Sequence, residues 1–383
     1  MVLARSAISL LNRHLPKQAK AVIAGFPDLE DSTIEIARQL VLRQSVSVVV
    51  LAEGEVPPSI RRQEPNIDWC SRKSVRGFFH YLTARYIFFT HGLYLSPKPP
   101  RSQICINVWH GMPIKRIGYL IGRTPPPSTF GIATSDMFRG LVAKCFGVPD
   151  AEILTTGIPR NDVMVRAARR ANAIKTQLGI GDKDTKPRLI MWLPTFRQAV
   201  RGIVRTDGVA HSSIFGMSDM DTAEFCAFLE EQNCICILKV HPMAPDFPDQ
   251  IRSDRLRIWR EPDLRERGVS LYEMLGAADL LITDASSVYV DYLILDKPVI
   301  LAFPDLEEYR RSRGFALEPV EDFFAGPVVS DYQQLKSAIA ETFEADRYAL
   351  PRSSVVACFH KHRDDRATTR LLDAVLPQQP AHY

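Results

Sequence analysis

Residues 279–300 read DLLITDASSVYVDYLILDKPVI. Leu280 to Thr283 is an apolar run of strand length, Ser287 to Ile294 is helical, and Pro298 to Ala302 is a second buried strand. Between the first two lies Asp284-Ala-Ser286-Ser287, whose short polar side chains suit the start of a helix because they can accept from its free backbone N–H groups. A strand, a helix and a strand in so few residues make the crossover unit of a parallel sheet.

The same alternation extends both ways. Upstream it predicts strands at Arg188–Leu193, Cys234–Val240 and Leu256–Trp259, with helices at Thr222–Glu231 and Leu271–Ala277. Two closing helices are expected at Tyr332–Phe343 and Arg366–Val375. The first half predicts strands at Ala21–Ala24, Val46–Ala52, Tyr86–Thr90, Ile104–Trp109 and Phe130–Thr134. It also predicts a helix over Thr33–Gln44 with Asp31 or Ser32 as its cap, and one over Ser135–Phe146 stopped by Gly147. Residues 161–187 read as one helix and a polar connection over 179–187. The expected fold is α/β, with two Rossmann-like domains whose parallel sheets face a central cleft. The domains are placed at 1–165 and 166–383, with the last helix able to return to the first. Residues 53–76 and 198–218 fit no element.

Length and composition agree. At 383 residues, 46% hydrophobic and 24% charged, the chain suits a two-domain globular protein and excludes a disordered or collagen-like one. No stretch nears the ~18 uncharged apolar residues of a membrane span. Seven scattered cysteines indicate a reducing compartment. Residues 1–27 hold Arg5, Arg13, Lys17 and Lys20 and no acid, which accounts for the whole net charge of +4. Leu3, Ala7, Ile8, Leu11 and Leu15 give that segment an oily face. It reads equally as a helix lying on an anionic membrane and as one packed on its own domain. Arg13 and His14 interrupt any secretory h-region.

Familiar signatures are missing. The Gly179-x-Gly181 pair precedes a strand, so it is no dinucleotide loop. Asp182-x-Asp184 and Asp219-x-Asp221 are short, and Asp221 with Glu224 reads as a capping box. Cys234 and Cys236 read as core residues, and His360-x-His362 as a solvated pair. No structural metal is expected.

Five polar clusters instead sit at strand ends, where open α/β sheets bind ligands. They are Trp109-His110-Gly111 through Lys115, Thr156 through Arg160-Asn161-Asp162, Pro194-Thr195-Phe196-Arg197, Lys239-Val-His241-Pro242 and Thr283-Asp284 through Ser287. With Asp305-Leu-Glu-Glu308-Tyr-Arg310 and Arg313-Gly-Phe315, this ordered set resembles the CDP-glycerol glycerophosphotransferase family of teichoic acid primases and polymerases, over roughly residues 75–375. Met112, Ala285, Phe196 and Arg366 depart from residues common in that family, which bears on substrate preference. The length resembles the compact primase type.

The resemblance implies a GT-B-like fold and phosphoryl transfer from CDP-glycerol, or CDP-ribitol, to a lipid-linked sugar or polyol-phosphate acceptor. The resemblance further implies a role in making a teichoic-acid-like or capsule polymer at the cytoplasmic membrane face. His110 is then expected as the base, since an imidazole accepts a proton near neutrality, and His241 as the group donating to the diphosphate, although the two roles are interchangeable. Ser286 and Ser287 suit a phosphate, and Thr195, Arg197 and Asp284 complete the donor site. Asp284 is expected to cap or to orient His241. Asp305 and Glu308 are the candidates for ribose, and Lys115, Arg160, Asn161 and Lys239 the remaining cleft residues. With these charges no cofactor is required, and a divalent cation is dispensable or merely assisting. Arg61, Arg62, Arg72 and Lys73 join the N-terminal segment as the expected contact with anionic lipid. No broad basic face points to nucleic acid. The rivals are a GT-B glycosyltransferase, a nucleotide-sugar epimerase, and a non-catalytic binder of anionic polymer.

Overall fold

A computed structural model describes residues 2–181, 186–195, 215–240 and 253–377. They form two compact units: Met1–Met112 with Ile117–Val163 and His360–Tyr383, and Pro113–Arg116 with Met164–Phe359. The division falls within helix Pro159–Ala168.

The first unit holds β1 (Gln18–Ala24), β2 (Ser47–Ala52), β3 (Asp68–Ser71), β4 (Ala84–Phe89), β5 (Ile104–Asn107), β6 (Phe130–Ile132) and β7 (Ile153–Leu154). The second holds β8 (Arg188–Leu193), β9 (Cys234–Lys239), β10 (Leu256–Trp259), β11 (Leu280–Thr283), β12 (Val299–Ala302) and β13 (Val328–Val329). The sheet orders are β3-β2-β1-β4-β5-β6-β7 and β10-β9-β8-β11-β12-β13, and every pair is parallel. The expected pair of Rossmann-like sheets is therefore present. Parallel strands are covered on both faces, which is why they read as continuous apolar runs. Val22, Leu51, Ile87 and Phe89 anchor one core, and Trp192, Phe225, Leu238 and Ile282 another. Cys234 and Cys236 lie in that second core, fully buried, as their apolar strand suggested.

Several local expectations are corrected. Helix Asp31–Arg43 is capped by Glu30, whose carboxylate accepts from Ser32 N and Thr33 N, rather than by Asp31 or Ser32. The run from 161 is broken into helices Pro159–Ala168 and Ala171–Gln177. Asp221 caps helix Thr222–Glu231 through Glu224 N, without the reciprocal bond of a full box. The unassigned stretch 53–76 contains helix Pro58–Gln63 and β3, and His360 is buried rather than solvated. Most of residues 198–218 lie outside the described residues.

Helix Val2–His14 divides its apolar residues between two sides. Ile8 and Leu15 pack on the first sheet's core, and buried Asn12 donates to Gln103 Oε1 at 2.9 Å. Leu3, Leu10 and Leu11 stay exposed. Among the described residues no helix is long and apolar enough to cross a membrane.

The C-terminal helix Ala367–Val375 belongs to the first unit because Asp162 holds its start. The Asp162 carboxylate accepts from Ala367 N and Thr368 N, both at 2.8 Å, and from the Thr368 hydroxyl at 2.7 Å. Arg43 reaches the same helix through Thr369 O and Asp373. Burial pushes the Asp162 pKa up to about 6, against the pull of the hydrogen bonds it accepts. Its folded pKa therefore exceeds the ordinary carboxylate value, and its contribution to stability is complete below about pH 4 and lost as pH rises through about 6. Asp162→Ala strands the three donors, at a cost of roughly 1–3 kcal/mol or more. Urea titration is expected to find that cost larger at pH 5 than at pH 7.5 by about 1 kcal/mol, with faster amide exchange along Ala367–Val375.

Candidate functional site

In the first unit β4 and β5 end side by side. Phe89 and Asn107 are register partners, and Val108 N donates to Phe89 O at 2.9 Å. The chain must then turn outward, and it does so with Trp109 at φ 46° and Gly111 at φ 122°. A left-handed tryptophan is costly, so something must hold it. Asn107 Oδ1 does, accepting from Trp109 N at 3.0 Å. His110 is thereby displayed half-buried, its ring centroid 3.9 Å from that of Trp109 and 4.7 Å from that of His91.

Arg160 secures the turn from below. It is 7% exposed and donates from Nη2 to the His110 carbonyl at 3.0 Å. Arg160, one of the expected cleft residues, thus also holds the His110 loop. Its electrostatic counterpart is Glu30, whose pKa burial raises and Arg160, with the Thr33 and Ser32 hydrogen bonds, draws back. Asn161, 1% exposed, follows in the same helix.

In the second unit, neighbouring strands β9, β8, β11 and β12 carry Lys239, Thr195, Asp284 and Asp305 at or just past their C-terminal ends. Thr283 is the register partner of Leu193 on one side and Leu301 on the other. That register sets Asp284 beside Thr195. The Asp284 carboxylate accepts from Thr195 N at 3.2 Å and from the Thr195 hydroxyl. Asp284 therefore ties two strand ends together.

Ser286 occupies the cap position of helix Ser287–Leu293 and makes no side-chain cap bond. Ser286 and Ser287 are half-buried. Lys239, 9% exposed, pairs with Glu261 at 3.3 Å. Asp305 is buried at the start of helix Leu306–Ser312, whereas Glu308 accepts from Arg311 at 2.9 Å on that helix. Lys115 pairs with Phe315 in an antiparallel bridge, so the tail of the Trp109–Lys115 motif belongs to the second unit. His241 and Arg197 lie outside the described residues. Among the described residues no group of three or more His, Cys, Asp or Glu is arranged to hold a metal ion.

Comparison with known proteins decides the family. The CDP-Glycerol:Poly(glycerophosphate) glycerophosphotransferase family matches residues 9–377. The chain belongs to this family. Teichoic acid ribitol-phosphate polymerase TarL of Staphylococcus aureus is 28% identical over 311 residues, covering 76% of this chain and 51% of that protein. The chain spans about half the length of that relative and of TarK. A teichoic acid ribitol-phosphate primase of Bacillus spizizenii is 25% identical, covering 97% of this chain and 94% of its own length. A teichoic acid glycerol-phosphate primase of Bacillus subtilis is 24% identical over 290 residues. The wall teichoic acid polymerase TagF superposes with a TM-score of 0.77 at 21% identity, covering 97% of this chain and 92% of that one. That likeness supports the GT-B-like fold.

Reading motifs alone missed His91, Glu30 and the capping task of Asp162. His91 was the most legible, since it stands just past a predicted strand like the five clusters, but it lacked a motif. Glu30 and Asp162 act through burial, which spacing does not reveal. Asp284→Ala is expected to cost roughly 1–3 kcal/mol. Hydrogen exchange should show faster exchange of the Thr195 amide, and unchanged exchange there would contradict the tie.

Proposed function

We propose that the chain transfers glycerol phosphate from CDP-glycerol to a hydroxyl of a lipid-linked sugar or polyol-phosphate polymer, releasing CMP, in synthesis of a teichoic-acid-like or capsule polymer. What supports this most is the family match across residues 9–377. The acceptor oxygen forms a bond to the glycerol-bearing β-phosphorus, and the bond from that phosphorus to the bridging oxygen of CMP breaks. His110 takes the hydroxyl proton. Among the residues displayed at the β4 and β5 ends it is an imidazole, able to accept a proton near pH 7, and its loop is fixed by Asn107 and Arg160. In the second unit Thr195, Asp284, Ser286 and Ser287 form the donor side, with Asp305 near the ribose. Arg197 and His241 serve the diphosphate. A divalent cation is assigned no required part, because histidine and arginine charge suffices for the leaving group.

CDP-ribitol is the second reading, favoured by the ribitol-phosphate names of TarL and of the primase matching 97% of this chain. The acceptor lies at a membrane surface in this reading, and exposed Leu3, Leu10 and Leu11 beside Arg13 support a peripheral contact with anionic lipid.

A screen of CDP-glycerol, CDP-ribitol and UDP-hexoses is expected to give acceptor-dependent CMP release with a CDP-polyol. Release of UDP instead would overturn the reading. His110→Ala is expected to cut turnover by roughly 10²–10⁴-fold while donor affinity by calorimetry changes little; near-normal turnover would remove His110 as the base. Replacing Leu3, Leu10 and Leu11 together by Ser should weaken sedimentation with anionic liposomes at low salt, and equal sedimentation would dismiss the membrane contact.

A further inference from the structure

His91 belongs to none of the sequence motifs, yet its ring lies nearly parallel to that of His110, with planes 6° apart and centroids 4.7 Å apart. Trp109 touches both, at 3.9 Å from His110 and 5.6 Å from His91. The three rings thus form one cluster in the first unit, where β4 and β5 end.

The His91 ring is itself fixed. Its Nδ1 meets the Thr90 hydroxyl at 3.0 Å. That hydroxyl also accepts from Phe26 N at 2.9 Å, and Thr90 N donates to Ala24 O at 3.2 Å. Thr90 is fully buried, so the anchor is part of the β1–β4 pair rather than of a loose loop. Phe26 stands edge-on to the ring, 5.3 Å away at 74°. Arg72 donates to the carbonyl of the next residue, Gly92, at 2.9 Å. Burial, then Arg72, pushes the His91 pKa down to about 4. At neutral pH the ring is uncharged, offers His110 a π-face, and does not compete with it for the acceptor proton.

We propose that His91 is a positioning residue for His110: the anchored ring is the surface on which the His110 imidazole is laid, and the stack fixes the plane in which that imidazole meets the acceptor hydroxyl. This rests on His110 being the base. General-base efficiency depends on alignment, and a small misplacement is costly in rate. When His110 takes the proton, no bond at His91 changes. The new imidazolium stays in contact with the neutral rings of His91 and Trp109, an arrangement that favours the cation. The ring needed at position 91 is therefore aromatic and uncharged, not specifically histidine.

The test uses the full chain with His91→Leu, which fills the space without a π-face, and His91→Phe, which restores one. His91→Ala replaces the leucine variant if that fails to fold, as judged by thermal unfolding. Acceptor-dependent CMP release from the CDP-polyol used by the wild type should show kcat reduced about 10-fold or more in His91→Leu. KM for donor should stay within about threefold, and His91→Phe should recover most of kcat. A substrate-free reading accompanies it. The His110 ring proton signals, assigned by their loss in His110→Gln, should shift in His91→Leu as the ring current of the stack is removed. Unmoved His110 signals would overturn the inference whatever the turnover, and so would moved signals with an unchanged kcat. A wild type that turns over no CDP-polyol would instead remove the reaction, while the signals still decide the stack.

Discussion

Parallel register is the constraint on which both clusters depend. In a parallel sheet neighbouring strands finish at the same edge, and the residues just past their ends become neighbours without being close in sequence. Phe89 beside Asn107 brings His91 to His110, and Leu193 beside Thr283 brings Thr195 to Asp284. A slip of one residue in either pair would turn the apolar strand residues over and separate these groups. The apolar runs that hold the register are therefore as necessary to the two clusters as the polar residues that compose them.

Buried charge does much of the positioning. Arg160 holds the His110 carbonyl, Glu30 balances that arginine while capping its own helix, and Asp162 starts the last helix of the same unit. Each of these groups is costly to bury alone and acceptable where hydrogen bonds or opposite charge meet it. The Thr156–Asp162 segment thus contributes framework contacts from Arg160 and Asp162. Its conformation fixes the His110 loop from one side and the C-terminal helix from the other.

Much of the fold was legible because strands buried on both faces leave continuous apolar runs. Arg188–Leu193, Leu256–Trp259 and Leu280–Thr283 have the limits that the sequence suggested. The stretch over β3 was not legible, since Asp68-Trp-Cys-Ser71 is short, mixed and surrounded by prolines and arginines. Within the site, the placement of Thr195, Asp284 and His110 at strand ends followed from their motifs, whereas the hydrogen bonds between Thr195 and Asp284 did not. The roles of Arg160, Asp162 and His91 did not, because each is set by a contact between residues far apart in the chain. The pairing of Glu308 with Arg311, one helical turn apart, was likewise not read from its motif.

Position-labelled donor tests the central claim most directly. With ¹⁸O in the bridge between the two phosphorus atoms of CDP-glycerol or CDP-ribitol, attack at the β-phosphorus predicts that all the label leaves in CMP. Label retained in the polyol phosphate product, or no label released in the presence of acceptor, would contradict the account.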